Sequence, residues 1–189
     1  MIRAIIFDCF GVLVGTGYRN VFKTKSGNVS LDNSFLDELL DKANSNMISS
    51  NDLHREAANR LGIPFEEWKQ LILEDEKANK EIFSYIQKSL KDNYKLALLS
   101  NAGTRVINRK LTPEHLSLFD AVVISGEVGL LKPDPRIFSL VAEKLEVDPA
   151  ECIFIDDYEG YLSGAQSLGM QTIQFFDTKQ CIRDISNIL

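Results

Sequence analysis

The sequence of residues 5–13 is Ile5-Ile6-Phe7-Asp8-Cys9-Phe10-Gly11-Val12-Leu13, an apolar run with one acidic residue inside it. Residues 4–7 are apolar without alternation, which predicts a strand that is covered on both faces, as in a parallel sheet. Asp8 would then stand at the carboxyl end of that strand. An aspartate at this place either caps the following turn or carries out chemistry, and the other motifs decide between these two interpretations.

The composition limits the kinds of partner that the chain can have. Its 189 residues are 44% hydrophobic and 25% charged, with a net charge of −6, which is enough for one core and a small inserted domain. Nucleic acids and anionic membrane surfaces both need a basic footprint on the protein, and no cluster of Lys and Arg supplies one. We therefore expect neither as the main partner, and the sequence leaves a monomer and a homodimer equally open.

The cysteines and the apolar runs indicate the compartment. Cys9, Cys152 and Cys181 are odd in number and widely spaced, so a disulfide framework or a zinc site is not expected. No apolar run has the length or flanks of a signal peptide or a membrane span. These features predict a cytoplasmic protein with reduced thiols.

Residues 16–90 predict an all-helical insert. Ser49 or Ser50 is a suitable residue to begin one helix, and Gly62 is suitable to end it. Pro64 fits the first turn of the next helix. Apolar residues recur at helical spacing in that helix and in one stretch on either side of the pair. The three sets are Leu31, Phe35, Leu36, Leu39 and Leu40; Phe65, Trp68, Leu71 and Ile72; and Ile82, Phe83, Tyr85, Ile86 and Leu90.

Residues 1–15 and 91–189 predict alternating strands and helices. After the first strand, we expect strands at residues 95–99, 121–124, 152–155 and 171–176, and a helix that Asp134 caps and Pro135 begins. Alternation of this kind implies parallel pairing through right-handed crossovers. The sequence therefore predicts an α/β core with a doubly wound parallel sheet and helices on both faces.

Polar residues follow four of the predicted strands. Asp8, Ser100-Asn101 and Asp156-Asp157 stand at three strand ends, and Lys132 lies in the loop after a fourth. Ligands of such sheets bind outside the carboxyl ends of the strands, so we expect these side chains to converge.

This set of groups suits the transfer of a phosphoryl group. Asp8 would attack phosphorus and form an aspartyl-phosphate, while Ser100 and backbone N–H groups near Asn101 would hold the phosphate oxygens. Lys132 would neutralise both the phosphate and Asp8. The acidic pair at 156 and 157 would otherwise repel the substrate, and a Mg²⁺ ion, which prefers oxygen ligands, removes that repulsion.

Four stretches contain these polar residues, in order along nearly the whole chain. They are Phe7-Asp8-Cys9-Phe10-Gly11-Val12-Leu13, Leu98-Leu99-Ser100-Asn101, residues 129–138 around Lys132-Pro133-Asp134-Pro135, and Ile153-Phe154-Ile155-Asp156-Asp157 with residues 165–170. Together they resemble the motifs of the haloacid dehalogenase-like (HAD) hydrolase superfamily. The resemblance implies a Rossmann-like core with strand order 5-4-1-2-3 and, for the helical insert, a cap that closes over small substrates.

The resemblance also implies metal ligands and a reaction class. Asp8, Asp157 and the carbonyl of Phe10 would ligate Mg²⁺, with Asp156 as a further or water-mediated ligand. Together with Ser100 and Lys132 as phosphate ligands, these roles imply a Mg²⁺-dependent phosphatase of small phosphorylated metabolites.

Two positions depart from the motifs. Phosphatases of this superfamily usually carry a second Asp two residues after the nucleophile as general acid, and here that residue is Phe10. Three interpretations stay open: a phosphatase that favours good leaving groups, a metal-free 2-haloacid dehalogenase, or a catalytically impaired binding protein. Tyr161 stands where related members often have Asn, and the sequence assigns it no role.

Overall fold

The computed structural model describes residues 1–26, 33–44 and 47–189, and the chain divides into two compact units. The first unit contains Met1–Val14 and Ala78–Leu189, and the second contains Gly15–Lys77. Within the described ranges, no helix combines the length and the apolar character that crossing a bilayer needs.

The first unit is built on a parallel sheet. In the described part of the chain its strands pair in the order β3-β2-β1-β4-β5, which is the predicted order counted from the opposite edge. The prediction of a Rossmann-like α/β sheet is therefore confirmed. The strands are β1 (Ala4–Phe7), β2 (Lys95–Ser100), β3 (Ala121–Ile124), β4 (Cys152–Asp156) and β5 (Gln171–Gln174).

The central strand β1 separates two apolar cores. Ile5 and Phe7 belong to the core on one face of the sheet, and Ala4 and Ile6 belong to the core on the other. All four residues are fully buried. This is why the sequence of the strand does not alternate between apolar and polar residues.

The helices connect the strands and build the second unit. Helices α1 to α4 lie in the second unit, and α5 to α11 lie in the first. They are α1 (Tyr18–Ser26), α2 (Asn33–Asn44), α3 (Ser50–Leu61), α4 (Phe65–Asp75), α5 (Lys80–Tyr85), α6 (Thr104–Lys110), α7 (Pro113–Leu116), α8 (Ser125–Val128), α9 (Pro135–Leu145), α10 (Glu159–Gln166) and α11 (Thr178–Ile188).

The division between the units differs from the expected boundary at residue 90. Residues 78–90, which are α5 and a π-helical turn at Ile86–Leu90, belong to the first unit. Ile82 and Ile86 are completely buried in the same core as Phe7. The helical spacing of these two residues fits packing on a sheet or on other helices, so the spacing alone does not locate the boundary.

The described residues of the second unit form helices and the segments that connect them, and the core of this unit contains hydrogen-bonded polar groups. Trp68, which is fully buried, donates its indole N–H to Nδ1 of His54 at 3.0 Å, and Nε2 of His54 lies 3.1 Å from the Tyr18 hydroxyl. Such partners are what buried indole and imidazole groups require.

The helix ends of the second unit follow the sequence signals with one difference. Ser49 caps α3 and Gly62 ends it in the left-handed conformation, as predicted. Pro64 precedes α4 as its N-cap, whereas the sequence placed it in the first turn. The predicted helical residue Leu31 lies outside the described residues.

Gly164 sets the distance between α10 and the loop that carries Lys132. A Cβ atom at this position would lie 1.9 Å from the carbonyl oxygen of Pro133. We expect Gly164→Ala to lower the free energy of unfolding by about 1–3 kcal/mol because the helix and the loop must separate. Urea denaturation measures this change.

Gly103→Ser is the matched control for this prediction. Gly103 is the N-cap of α6 with φ −89°, and a Cβ there meets no atom within 4 Å. Serine is also a good N-cap residue, so the control should change the unfolding free energy by less than about 0.5 kcal/mol. Equal effects of the two substitutions would contradict the close packing at Gly164.

Candidate active site

The nucleophile candidate Asp8 lies at the carboxyl end of the central strand. The register pairs Phe7 with Leu98 of β2 and with Ile155 of β4, so Asp8 is the first residue beyond the paired segment. Its backbone N–H donates to the carbonyl of Ile155 at 2.9 Å, which fixes it beside Asp156. Only 5% of the residue is exposed.

Lys132 joins two of the predicted acidic residues. Its ammonium donates to Oδ1 of Asp8 at 2.6 Å and to Oδ2 of Asp156 at 2.5 Å. The side chain of Lys132 is 1% exposed, and that of Asp156 is completely buried. The structure therefore brings these three residues together, as the positions of the strand ends predicted.

The pKa values of Asp8 and Lys132 are both raised, which disfavours the charged form of Asp8 and favours that of Lys132. Burial raises the pKa of Asp8 well above its ordinary value of 3.8; Lys132 opposes this shift, whereas Asp156 and Asp157 add to it. Burial lowers the pKa of Lys132, but Asp156 and Asp8 more than compensate and hold it above its ordinary value. Lys132 is thus a permanent cation, and the free Asp8 carboxylate is held at an energetic cost.

Asp157 completes a group of three carboxylates. One oxygen each from Asp8, Asp156 and Asp157 can be chosen so that all lie within 4.8 Å of one another. Gly11, with φ +100°, makes room for this group, because a Cβ there would lie 2.3 Å from the carboxyl carbon of Asp157. The side chain of residue 11 and the carboxylate of Asp157 therefore cannot occupy this space together.

These three carboxylates fit a divalent cation. An octahedral ion such as Mg²⁺ holds its ligand oxygens roughly 3.0–4.2 Å apart, which is compatible with three carboxylate oxygens that all lie within 4.8 Å of one another. Three carboxylates and one ammonium carry a net charge of −2 when all are ionised, which one divalent cation balances. The donor set also consists only of oxygen atoms, as hard cations prefer.

The side chain of Asn101 makes contacts that the sequence did not indicate. Its side-chain N–H donates to the carbonyl of Lys132 at 3.0 Å, and its amide oxygen accepts the N–H of Lys132 at 2.8 Å. The side chain therefore holds the main chain of Lys132 and is occupied there. A contact of Asn101 with substrate would have to come from its backbone N–H.

Ser100 and Phe10 are the two remaining residues that the sequence predicted for the site. Ser100 ends β2 and is 1% exposed, at the same edge of the sheet as Asp8. Phe10 lies in the turn after Asp8, where it bridges to Val14 and packs against the core that contains Phe7. Its role as a carbonyl ligand stays a prediction.

Aromatic side chains around Lys132 were not identified from the sequence as part of the site. The Lys132 ammonium lies 4.8 Å from the ring centroid of Tyr161 and 5.4 Å from that of Phe154. Phe154 fits the pattern of a buried strand, so nothing in the sequence indicated its contact with Lys132. Tyr161 is an aromatic residue five positions after Asp156, and its residue type could have indicated an aromatic contact at the site.

The family model of haloacid dehalogenase-like hydrolases matches residues 2–169, and the chain therefore belongs to this family of hydrolases. A structure described as a predicted HAD-like family hydrolase from Porphyromonas gingivalis is similar over 100% of this chain and 98% of its own, with 25% identity and a TM-score of 0.68. A HAD family enzyme from Bacteroides thetaiotaomicron, in complex with magnesium and inorganic phosphate, is similar over 92% of this chain and 94% of its own, with 24% identity and a TM-score of 0.63.

The curated relatives differ in activity. Bifunctional epoxide hydrolase 2 of Sus scrofa is 26% identical over 99% of this chain, which spans only 39% of that protein. Phosphatase MT3486 of Mycobacterium tuberculosis is 30% identical over 54% of this chain and 50% of its own. (S)-2-haloacid dehalogenase 4A of Burkholderia cepacia is 28% identical over 51% of this chain and 45% of its own. The relatives thus support hydrolase chemistry without selecting one reaction.

The raised pKa of Asp8 predicts that this residue destabilises the metal-free protein. Because the pKa of Asp8 is higher in the folded than in the unfolded state, the protonated Asp8 carboxyl contributes stability that is fully present below pH 3.8. This stability is lost as the pH rises through the folded-state pKa. Asp8→Asn cannot ionise, so in EDTA at pH 7 we expect it to unfold at least about 2 °C above the wild type. The difference should shrink as the pH falls toward 4.

Asp134→Asn serves as the control of opposite sign. Hydrogen bonds from Arg136 lower the pKa of Asp134, so the ionised form of Asp134 stabilises the fold. This stability is present above the ordinary pKa of an aspartate and is lost as the pH falls through the lowered pKa of Asp134. This variant should melt slightly below the wild type at pH 7. Thermal unfolding followed by circular dichroism compares the variants, and a lower melting temperature for Asp8→Asn in EDTA would contradict the account.

The space at Gly11 predicts a specific loss of cation binding. In Gly11→Ala the new Cβ displaces the Asp157 carboxylate, and we expect Mg²⁺ affinity to fall about 10–100-fold. Gly169→Ala is the control, because Gly169 has φ +81° but its Cβ would meet only Ala150, at 3.8 Å. It carries similar backbone strain and should bind Mg²⁺ as the wild type does. Calorimetric titration with Mg²⁺ measures both, and equal affinities would refute the role of this space.

Proposed function

We propose that this protein is a Mg²⁺-dependent phosphatase of small phosphorylated metabolites, with Asp8 as the nucleophile. The observation that carries the proposal is the buried Lys132 ammonium, which contacts both Asp8 and Asp156 beside a third carboxylate, Asp157. Fixed positive charge beside a carboxylate nucleophile is what an anionic phosphate ester needs in order to approach that nucleophile.

The proposed reaction has two steps on Asp8. A carboxylate oxygen of Asp8 forms a bond to phosphorus as the ester P–O bond breaks, and the leaving oxygen takes the bonding electron pair. Water then attacks phosphorus, the bond to Asp8 breaks, and inorganic phosphate and the Asp8 carboxylate are released together with a proton. No oxidant or reductant is required.

The other residues bind and orient the phosphoryl group. Lys132 offsets its negative charge, and Asn101 fixes the main chain of Lys132 through its two hydrogen bonds. The Ser100 hydroxyl and the backbone N–H groups that follow it would donate to phosphate oxygens. Groups held in place before the reaction cost little reorganisation during it.

Asp8, Asp156 and Asp157 are the residues that would hold Mg²⁺, with the carbonyl of Phe10 as a further ligand. When bound, Mg²⁺ supplies positive charge that stabilises the phosphoryl group in transfer. A protein of the same fold binds magnesium and inorganic phosphate, which supports this choice of ion. The acidic charge of the chain further favours a small-molecule substrate over a nucleic acid or a membrane surface. The odd number and wide spacing of the cysteines favour the cytoplasm as the place of the reaction.

A 2-haloacid dehalogenase is the second candidate, and Phe10 is the observation that favours it. Such enzymes are similar to this chain in carrying an aromatic residue at that position, and a dehalogenase is among the relatives. The three carboxylates argue against it, because a metal-free site gains nothing from placing Asp157 beside Asp8 and Asp156. The two candidates make opposite predictions about metal.

Hydrolysis of p-nitrophenyl phosphate tests the proposal. We expect activity with Mg²⁺, loss of activity in EDTA, and at least about a 10³-fold lower kcat in Asp8→Asn, because the nucleophile is missing. Asp184→Asn on α11, whose side chain interacts with Gln180 and Arg183, should retain wild-type activity. Release of chloride from 2-chloropropionate in EDTA, without phosphatase activity, would instead establish the dehalogenase.

The phenyl ring of Phe10 predicts a strong dependence on the leaving group. A general acid usually contributes about 10²–10⁴-fold, and a phenyl ring cannot donate a proton. Aryl and acyl phosphates should therefore react far faster than alkyl phosphates, with log kcat falling steeply as the pKa of the leaving alcohol rises. Single-turnover rates across a series of phosphate esters measure this slope, and a flat series would show that another group acts as the acid.

A further inference from the structure

The Lys132 ammonium lies between acidic groups and aromatic rings. Its hydrogen bonds to Asp8 and Asp156 use two of its three N–H groups. Its ring contacts are to Tyr161 at 4.8 Å and to Phe154 at 5.4 Å from the centroids. Both distances are within the range at which the face of a ring attracts a cation.

Phe154 and Tyr161 differ in how they are held. Phe154 is completely buried in β4 and packs edge to face against Phe138, with centroids 4.9 Å apart. Tyr161 is half-buried in the first turn of α10. The ring of Tyr161 is therefore the part of this aromatic surface that lies nearer to water.

Local contacts fix the ring of Tyr161. The Tyr158 ring packs against it edge to face, with centroids 4.8 Å apart and an interplanar angle of 77°, and the Tyr161 N–H donates to the Tyr158 carbonyl at 3.0 Å. Gly160 permits this packing, because a Cβ there would lie 2.8 Å from the Tyr158 ring. The loop after Asp156 and Asp157 is thus built to hold an aromatic pair.

We infer that Tyr161 is a positioning residue: its ring face holds the Lys132 ammonium against Asp8 and Asp156 and excludes water from it. The low exposure of the Lys132 side chain, 1%, depends on this cover. Without the ring, water would solvate the ammonium and compete with the carboxylates for its N–H groups. The consequence for catalysis rests on the proposed function, whereas the placement of Lys132 does not.

The test compares two substitutions at position 161. Tyr161→Phe keeps the ring face and Tyr161→Leu removes it while keeping an apolar side chain; Tyr161→Met replaces the Leu variant if that variant does not fold. Tyr85→Leu is the matched control, because Tyr85 is a partly buried tyrosine of α5 that packs on the core of the sheet. It reports the general effect of exchanging a tyrosine for leucine.

The first readout is the ¹H–¹⁵N signal of the Lys132 ammonium, assigned by its loss in Lys132→Met. We expect slow exchange and a ring-current shift in the wild type, in Tyr161→Phe and in Tyr85→Leu. In Tyr161→Leu we expect faster exchange and a smaller ring-current shift, since Phe154 is then the remaining ring beside the ammonium. A wild-type Lys132 signal without ring-current shift, or one that Tyr161→Leu leaves unchanged, would overturn the inference. This readout requires no enzymatic activity.

The second readout is steady-state hydrolysis of p-nitrophenyl phosphate with Mg²⁺. We expect kcat of Tyr161→Leu to fall about tenfold, with KM changed by less than roughly twofold because the cation remains present. Tyr161→Phe should stay close to the wild type. An unchanged kcat in Tyr161→Leu, in an active enzyme, overturns the inference and leaves the proposed function standing. If the wild type shows the predicted ammonium signals but has no phosphatase activity, the placement of Lys132 is supported and the proposed function is overturned.

Discussion

The contact of one buried ammonium with two carboxylates is the constraint on which this structure depends. Lys132 lies against Asp8 and Asp156 with almost no solvent exposure, and removing the cation would leave two buried carboxylates uncompensated, at a cost of about 3–5 kcal/mol. The contact draws together β1, β4 and the loop before α9. The fold therefore has to place three distant parts of the chain correctly before the site exists, and a site of this kind is incomplete in any partly folded state.

The arrangement also explains why stability and function oppose each other at Asp8. Burial and the neighbouring acids raise the pKa of Asp8, which disfavours the ionised form that a nucleophile must have. Lys132 only partly offsets this effect, because it is shared with Asp156. A divalent cation on the three carboxylates would complete the compensation, so that metal binding, substrate binding and stability are linked through the same group of charges.

The sequence predicted the parts of the site that topology alone determines. Asp8 and Asp156 meet because parallel strands end at one edge, which follows from the strand pattern without any side-chain geometry. The clamp between Asn101 and Lys132 joins residues 31 positions apart, and the contact of Tyr161 with Lys132 depends on the paths of two loops. The boundary after Lys77 was equally inaccessible, because the spacing of Ile82 and Ile86 fits packing on a sheet or on other helices.

The central claim is that Asp8 forms a bond to phosphorus while Phe10 leaves the departing group without a proton donor. Mass spectrometry of the proteolytic peptide that contains Asp8, after acid quench during turnover of p-nitrophenyl phosphate with Mg²⁺, tests this most directly. The account predicts a phosphoryl group on Asp8 that hydroxylamine removes and that is absent from Asp8→Asn. Turnover in which Asp8 stays unmodified, or in which the phosphoryl group is found on another residue, would contradict it.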